Sequence, residues 1–357
     1  MGSCGDDGRV NRGGAEYSRR YYEHIVGPAV DARWPDLRRA AGRLGSGSDV
    51  LGLDDDVSRD HDWGLRLNLF VPADMTAEVD AYLEEILPAT FDGLPTRFAT
   101  TWDPRQRHRV QVQDVAAFVH SHTGLDVRNP LSVNDWLSLS GQSVMEVTAG
   151  PVFIDTDGAL TDARSALAWY PDDVWKYVIA ADWSRLAQEL PFVGRSAERG
   201  DDLGSRVIPS RLVGVAMHLA HLLDRQWPAY SKWLGTSLAR LPRAHAIAEA
   251  LGRVLSSTDW RDREDAFVDA LQTLNRIQAA AGLPVADNPI ENFWTVPTGA
   301  SDPTSSRPWR TRSATRPSRR FHAGSALWSS GATTPTSSPT PPAACSRPHR
   351  HTDQAGL

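Results

Sequence analysis

The side chains best suited to chemistry are two aspartates one residue apart, Asp60 and Asp62 in "SRDHDWG", just ahead of the apolar run "LRLNLFV". Strand side chains alternate, so the pair shares one face while His61 points away. Carboxylates that close repel strongly unless cations sit between them. Mg²⁺ suits the position, because it accepts one or two carboxylates together with phosphate oxygens and water. Two such ions about 4 Å apart activate an attacking hydroxyl and neutralise a departing pyrophosphate. Upstream, across the spacer 49–59, lies Gly47-Ser48. A glycine turn there lets backbone amides approach a triphosphate closely, and Ser48 adds a hydroxyl. Arg59, directly before the pair, is placed to contact phosphates or to pair with Asp55.

Two plainer readings compete for the same stretch. Gly, Ser and Asp favour turns, so "GSGSDVLGLDDDVSRDHDWG" also fits a linker, although apolar strand-like segments hem it in and a long flexible insert there is uncommon. Asp54, Asp56, Ser58 and Asp60 alternate like the early ligands of a calcium loop. That loop needs Gly and Glu where this chain has Arg59 and Leu65, and a helix where a strand is expected. On the metal reading, Asp49, Asp54, Asp55 and Asp56 are a solvated turn.

The elements around the stretch are an α/β mixture. "AEYSRRYYEHIVGPAV" predicts an amphipathic helix interrupted by Pro28, and "RRAAGRLGSGS" a short strand running into a turn. "HDWGLRLNLFVP" alternates, with Leu65, Leu67 and Leu69 on one side. "TAEVDAYLEEILPATF" is a helix with Val79, Leu83, Ile86 and Leu87 as its stripe. "TRFATTW", "HRVQVQDVAAFV" and "PVFIDTDG" predict further strands, and "SVNDWLSLSGQSVMEVTAG" one short helix. After Pro171-Asp172-Asp173 at least four helices follow, the first with Val174, Tyr177, Val178 and Ala181 on one face and the last closed by Gly282. The expected organisation is an unstructured start over 1–16, an α+β catalytic domain over 17–165, a helical bundle over 166–298, and a tail over 299–357. That tail is rich in Ser, Thr, Pro and Arg and lacks Ile, Val, Glu, Lys and Tyr. It cannot bury enough apolar surface to order itself, and its composition is what an out-of-frame reading of a GC-rich gene produces.

The Gly-Ser, spacer and Asp-x-Asp pattern resembles the signature of the DNA polymerase beta-like nucleotidyltransferase superfamily. More narrowly, "SRDHDWG", "YPDDVW", "FVGR", "GDDLGSRVI" and "YSKWLGTSLARL" resemble a bacterial family of unknown function assigned to that fold, over roughly residues 20–298. The layout is similar to aminoglycoside nucleotidyltransferases. The resemblance implies an α+β fold with a mixed sheet followed by a helical bundle, two Mg²⁺ ions on Asp60 and Asp62, and ATP or another nucleoside triphosphate cradled by Gly47 and Ser48. It implies transfer of a nucleoside monophosphate to a hydroxyl, with release of pyrophosphate. The superfamily usually has a third carboxylate on a later strand, serving as base or metal ligand. In "HRVQVQDV" the inner positions hold Gln111 and Gln113, with Asp114 one step beyond, and "PVFIDTDG" offers Asp155. If neither reaches the pair, Glu189 of the helical domain is the alternative.

Other residues carry weaker signals. Lys232 is one of two lysines in a chain that otherwise uses Arg, and a compact point charge suits a triphosphate. Its plain alternative is a surface lysine. Arg195, Arg206 and Arg211 could bind phosphate or pair with Asp201 and Asp202. His218 with His221, or His120 with His122, could hold zinc, but no further ligand is suitably spaced. A net charge of -6 announces no nucleic-acid surface, and the mostly apolar runs are too short to span a membrane. With no secretory leader expected and only Cys4 and Cys345, a cytoplasmic protein is expected. The negative balance suits a small cationic hydroxyl acceptor.

Overall fold

The computed structural model describes residues 13–54, 65–100 and 103–285, and the backbone of 290–292 and 319–321. At its centre is a four-stranded mixed sheet built from β1 (Ala40–Gly42), β2 (Leu67–Phe70), β7 (Val110–Gln113) and β8 (Val152–Asp155), in the order β7-β2-β1-β8. β2 runs parallel to β7 and antiparallel to β1, which in turn is antiparallel to β8. Between β2 and β7 the chain forms α3 (Thr76–Ile86), the small hairpin of β3 (Thr90–Phe91) and β4 (Leu94–Pro95), and a second hairpin of β5 (Arg97–Thr100) and β6 (Asp103–His108).

Alternation in β2 decides how the sheet is covered. Leu65, Leu67 and Leu69 share a cluster with Tyr21, Val26, Val30, Val79, Leu83 and Val110, so that face packs against the N-terminal helix and α3. Phe70 and Ala40 face the other way, into a larger cluster with Phe118, Leu160, Leu167 and the helices that follow. Both faces are therefore buried, and each leucine on the first contributes roughly 1.5–3 kcal/mol of burial.

The N-terminal helix does not stop at Pro28. α1 (Gly14–Tyr21) passes through one π-turn, Tyr22–Val26, into α2 (Gly27–Arg33), where Pro28 takes a first-turn position. Because the helix runs on without a break, Pro28 removes one N–H from its ladder, and the π-turn just ahead of it absorbs the change. A Cβ on Gly27 would stand 3.0 Å from the Tyr22 carbonyl oxygen, so the small residue makes the join possible.

After β7, α4 (Val115–Thr123) leads to α5 (Val133–Ser138) and α6 (Gly141–Thr148). The single helix expected here is two, because Ser132 and Ser140 each form a capping box and the second restarts the chain. α7 (Ala159–Ala166) follows β8. The helical part comprises α8 (Asp172–Glu189), α9 (Pro191–Glu198), α10 (Asp202–Leu223), α11 (Leu234–Ala239), α12 (Ala244–Ser256) and α13 (Trp260–Ala280), with Gly282 left-handed just beyond. In α8 the buried face is Val174, Trp175, Ile179, Trp183 and Leu186, whereas Tyr177 is exposed. The tryptophans outcompete the tyrosine for the core because they bring more apolar area and their indole N–H groups find acceptors on Leu222 and Gln278.

One apolar cluster runs from Ala40 and Phe70 through α4–α7 into the bundle, crossing residue 165 without a gap. No helix among the described residues is long and apolar enough to cross a membrane. In the tail, Arg319–Phe321 (β10) pairs antiparallel with Ile290–Asn292 (β9). The rest of 299–357 lies outside the described residues.

Candidate active site

β1 ends at Gly42 and delivers Arg43, Leu44, Gly45 and Ser46 to the mouth of a cavity of about 610 Å³. The loop is held by a buried ion pair. The Arg43 guanidinium binds both Asp49 oxygens at 2.7 and 3.0 Å, and also the carbonyls of Leu44 and Ser46. Both side chains are nearly closed to solvent, at 5% for Arg43 and 10% for Asp49. Asp49 is thus a structural anchor and not part of a solvated turn. Asp54 is engaged too, accepting from the Gly14 backbone at 2.9 Å.

Gly47 and Ser48 do not line this cavity. Gly47 has φ +143, and a Cβ there would stand 2.3 Å from Asp49 Oδ1 and 2.6 Å from an Arg43 nitrogen. Its glycine is needed to let the Arg43–Asp49 pair form. The Ser48 carbonyl accepts from Leu53. The doublet that faces the cavity is Gly45-Ser46, two residues earlier. Gly45 has φ +85 and its backbone N–H donates to the Glu146 carbonyl at 2.8 Å. "LGSGSD" holds two Gly-Ser doublets, and the one lining the cavity is Gly45-Ser46, not the Gly47-Ser48 expected from the spacing.

The floor beyond the doublet is made of amides. Asn68, buried on β2, accepts from the Leu44 backbone at 2.8 Å and donates to Gln111 on β7 at 3.0 Å. Gln113 lies two residues further along the same face. The inner positions of β7 therefore carry uncharged groups. On the far wall, Arg107 binds both oxygens of Asp80, and Arg109 meets Asp103 at 3.1 Å. Asp103 is held well below the usual carboxylate range, chiefly by the hydrogen bond from Arg105 and further by Arg109. His108 is buried between Asp80 and Glu84, yet burial outweighs both carboxylates and keeps its pKa below the ordinary histidine value.

His122 completes the wall beside the doublet. Its Nδ1 lies 2.8 Å from the Phe118 carbonyl, which can only accept, so Nδ1 carries the hydrogen. The opposite nitrogen, Nε2, is 3.7 Å from where a Cβ on Gly45 would stand and 3.8 Å from Glu146 Oε2. Asn68, Gln111, Arg43, His122 and Glu146 are the members of this site that spacing alone did not reveal. The alternation "VHSH" flagged His122 only as a zinc ligand, whereas α4 places it for a different contact.

Other residues singled out in the sequence are scattered. Asp60, Asp62 and Arg59 lie outside the described residues, and the chain re-enters at Leu65, at the Gly45 end of the sheet. Among the described residues no group of three or more His, Cys, Asp and Glu is arranged to hold a metal ion. Asp155 pairs across β1 with Ala40, two residues before Gly42, and its Oδ2 accepts from the backbone and hydroxyl of Thr161 at 2.8 and 2.6 Å. Asp114 caps α4 through the Ala117 backbone at 2.9 Å and lines a second cavity of about 590 Å³ with Phe70, Asp157 and Asp162. Neither carboxylate is brought to Gly45-Ser46. The antiparallel run of β8 carries Asp155 to the end of β1 where that strand begins, and Asp114 follows the last residue of β7.

Glu189 is tied to Arg211 and lies 3.7 Å from Arg185 at the end of α8, so it too is already paired, as is Arg211. Lys232 is exposed, with its ammonium 5.2 Å above the Trp233 ring. Arg206 pairs with Asp202, while Asp201 caps α10. His218 meets Asp182 at 2.6 Å and His221 meets Ser237 at 2.7 Å. The helical part reaches the loop through Arg240, which donates to the Gly52 carbonyl at 2.9 Å.

Together these features define an α+β protein with a small mixed sheet, a glycine-serine loop at one end of it, and a helical bundle packed behind. Residues 136–234 match a domain of unknown function, DUF4037, in line with the resemblance to a family of unknown function. The chain is also similar to the solved structure of a nucleotidyltransferase-like protein from Exiguobacterium sibiricum 255-15, at 12% identity over 74% of this chain and 76% of that one, with a TM-score of 0.33. No curated protein matches the sequence.

Proposed function

We propose that the protein is a Mg²⁺-dependent nucleotidyltransferase that transfers AMP from ATP to a hydroxyl of a small molecule and releases pyrophosphate. The observation that carries this reading is the Gly45-Ser46 turn at the mouth of the 610 Å³ cavity, followed in sequence by Asp60 and Asp62 before β2. The cavity has the room of a nucleotide site. Asp60 and Asp62 would hold the metal, which supplies charge neutralisation for the departing pyrophosphate. Gly45 lets a phosphate approach the backbone, Ser46 offers a hydroxyl, and Asn68 fixes the loop to β2 through Leu44. A cationic small molecule suits the negative balance of the chain, and the cytoplasm is the compartment this chemistry and cysteine usage favour.

A second reading has its own observation. Gln111 and Gln113 occupy the β7 positions where relatives of the superfamily usually carry a carboxylate, and Asp114 and Asp155 are engaged at the other end of the sheet. A non-catalytic nucleotide-binding protein would keep the cavity and lose that group. Calorimetry with Mg²⁺ and ATP, followed by pyrophosphate release over a panel of hydroxyl compounds, separates the two. Turnover on any acceptor supports the enzyme. Tight binding with no turnover on the panel supports the binding protein, and absence of ATP binding overturns both.

A further inference from the structure

The amide floor leaves the cavity without a free carboxylate among the described residues, yet one side chain beside the glycine-serine turn has its chemistry arranged and no part in holding the fold together through that atom. His122 is fixed at Nδ1 by the Phe118 carbonyl at 2.8 Å and packs on the Phe118 ring with centroids 4.4 Å apart. Its Nε2 is turned toward Gly45 and toward Glu146 Oε2 at 3.8 Å. Glu146 is itself set twice: Oε1 accepts from Gln142 at 2.8 Å, and its carbonyl accepts from the Gly45 backbone. The turn, the ring and the carboxylate are therefore one rigid unit. Glu146 Oε2 stands on the Nε2 side of the ring, while the Phe118 carbonyl holds Nδ1, so Nε2 is the ring nitrogen left facing the turn. Arg43, the neighbouring cation, is consumed by Asp49 and cannot do the same work.

We propose that His122 is a catalytic residue at the pyrophosphate end of the nucleotide, donating from Nε2 to the terminal phosphates and passing them its proton as pyrophosphate leaves. The inference rests on the nucleotidyltransferase reading. In the step, the acceptor oxygen forms a bond to the α-phosphorus and its proton goes to water. The bond from that phosphorus to the bridging oxygen breaks, the electron pair leaves on pyrophosphate, and the Nε2 proton neutralises part of the new charge. The ring is then reprotonated from solvent. Placing a donor where charge develops is the arrangement that lowers such barriers most.

Inorganic pyrophosphate with Mg²⁺ is the probe, because it needs no knowledge of the acceptor. Titration calorimetry on the full chain should show binding that weakens on the order of tenfold in His122→Gln, the loss of one charge-assisted hydrogen bond. Glu146→Gln keeps the ring and the Gly45 backbone contact and should weaken binding by a smaller factor, so the inference survives scrutiny even if the histidine variant folds poorly. Histidine ¹⁵N spectra should show the His122 Nε2 signal shifting when pyrophosphate is bound. Pyrophosphate binding undiminished in both variants, with the His122 signals unmoved, overturns the inference and leaves the nucleotide reading standing. Failure of wild-type protein to bind either pyrophosphate or ATP removes the reading and the inference with it.

Discussion

At the Gly45 end of the four-stranded sheet, side-chain amides, arginines and His122 surround a cavity. At the other end, Asp114, Asp157 and Asp162 surround another of similar size. Of the described carboxylates that sequence spacing offered for chemistry, Asp114 and Asp155 lie at this second end and Glu189 at the end of α8, and each has a local partner. Asp114 satisfies an orphan N–H of α4, and Asp155 gathers the Thr161 backbone and hydroxyl in the turn after β8. The difference teaches that an aspartate one step past a strand serves as well for starting the next helix as for meeting a metal, and only the register of the sheet tells which. The three-residue β1 makes this acute: two rungs separate its ends, roughly 7 Å at 3.3 Å per residue.

The largest expected effect breaks the comparison outright. Asp62→Asn should reduce pyrophosphate release below detection while leaving the melting temperature near wild type, because the change removes charge from the metal pair and little volume. Asp155→Asn at the other end should leave turnover unchanged. Unaltered release in the Asp62 variant would refute the metal assignment, and loss of release in the Asp155 variant would mean that the far end reaches the chemistry after all.

A stability effect of about 3–5 kcal/mol is expected for Arg43→Met, which strands Asp49 as a buried unpaired charge. Chemical denaturation measures it. Arg43→Met combined with Asp49→Leu should recover most of the loss, since the strain comes from the orphaned carboxylate. Nucleotide binding should stay impaired in the double variant, because the Leu44 and Ser46 carbonyls lose the donors that shape the turn. Recovery of both would show that the pair matters for the fold alone.

Much of this frame is legible in the sequence. Alternation in "LRLNLFV" correctly assigns Leu65, Leu67 and Leu69 to one face, and the α8 start at Asp172 and the left-handed Gly282 follow from capping chemistry. What spacing cannot give is partnership. Asp49 and Asp54 look like solvent-facing turn residues until Arg43 and the Gly14 amide are brought to them from other elements. Gly47-Ser48 and Gly45-Ser46 are equivalent as strings, and only the fold shows that the second lines the cavity while Gly47 lies against the Arg43–Asp49 pair. His122 and Glu146 are twenty-four residues apart and meet only because α4 and α6 pack together. Periodicity reports the faces of elements, whereas sites are made where faces from distant elements converge.

Acid should weaken the fold in a way that touches the Gly45 end and the bundle. His108 beside the first cavity and His221 on α10 both have pKa values depressed by burial, which disfavours the charged ring. Their unfolded value is about 6.5. Below that pH the unfolded chain binds protons that the folded chain refuses, so their contribution is complete above about 6.5 and is lost as pH falls toward the folded values. The slope is at most about 1.4 kcal/mol per pH unit for each ring. Urea denaturation at about pH 7.5 and about pH 5 measures it, and His221→Gln should flatten the curve by roughly half, the share of one ring of the two. An unchanged slope would mean that His221 protonates freely in the folded protein.

The smallest effect sharpens the comparison at the acidic end. Asp114→Ala removes the N-cap of α4 and should cost about 0.5–2 kcal/mol, read from a shifted denaturation midpoint at constant slope. Asp114→Ser keeps a capping oxygen and should recover most of that loss, which separates capping from charge. Neither variant should alter ATP affinity, because the Ala117 amide it serves lies on the far side of β7 from Gly45. α4 also carries His122 toward the first cavity, so fraying of its start tests how independent the two ends are. If Asp114→Ala weakened pyrophosphate binding while Asp114→Ser did not, the helix itself would be the link, carrying a capping defect at one end of the sheet to the phosphate contact at the other.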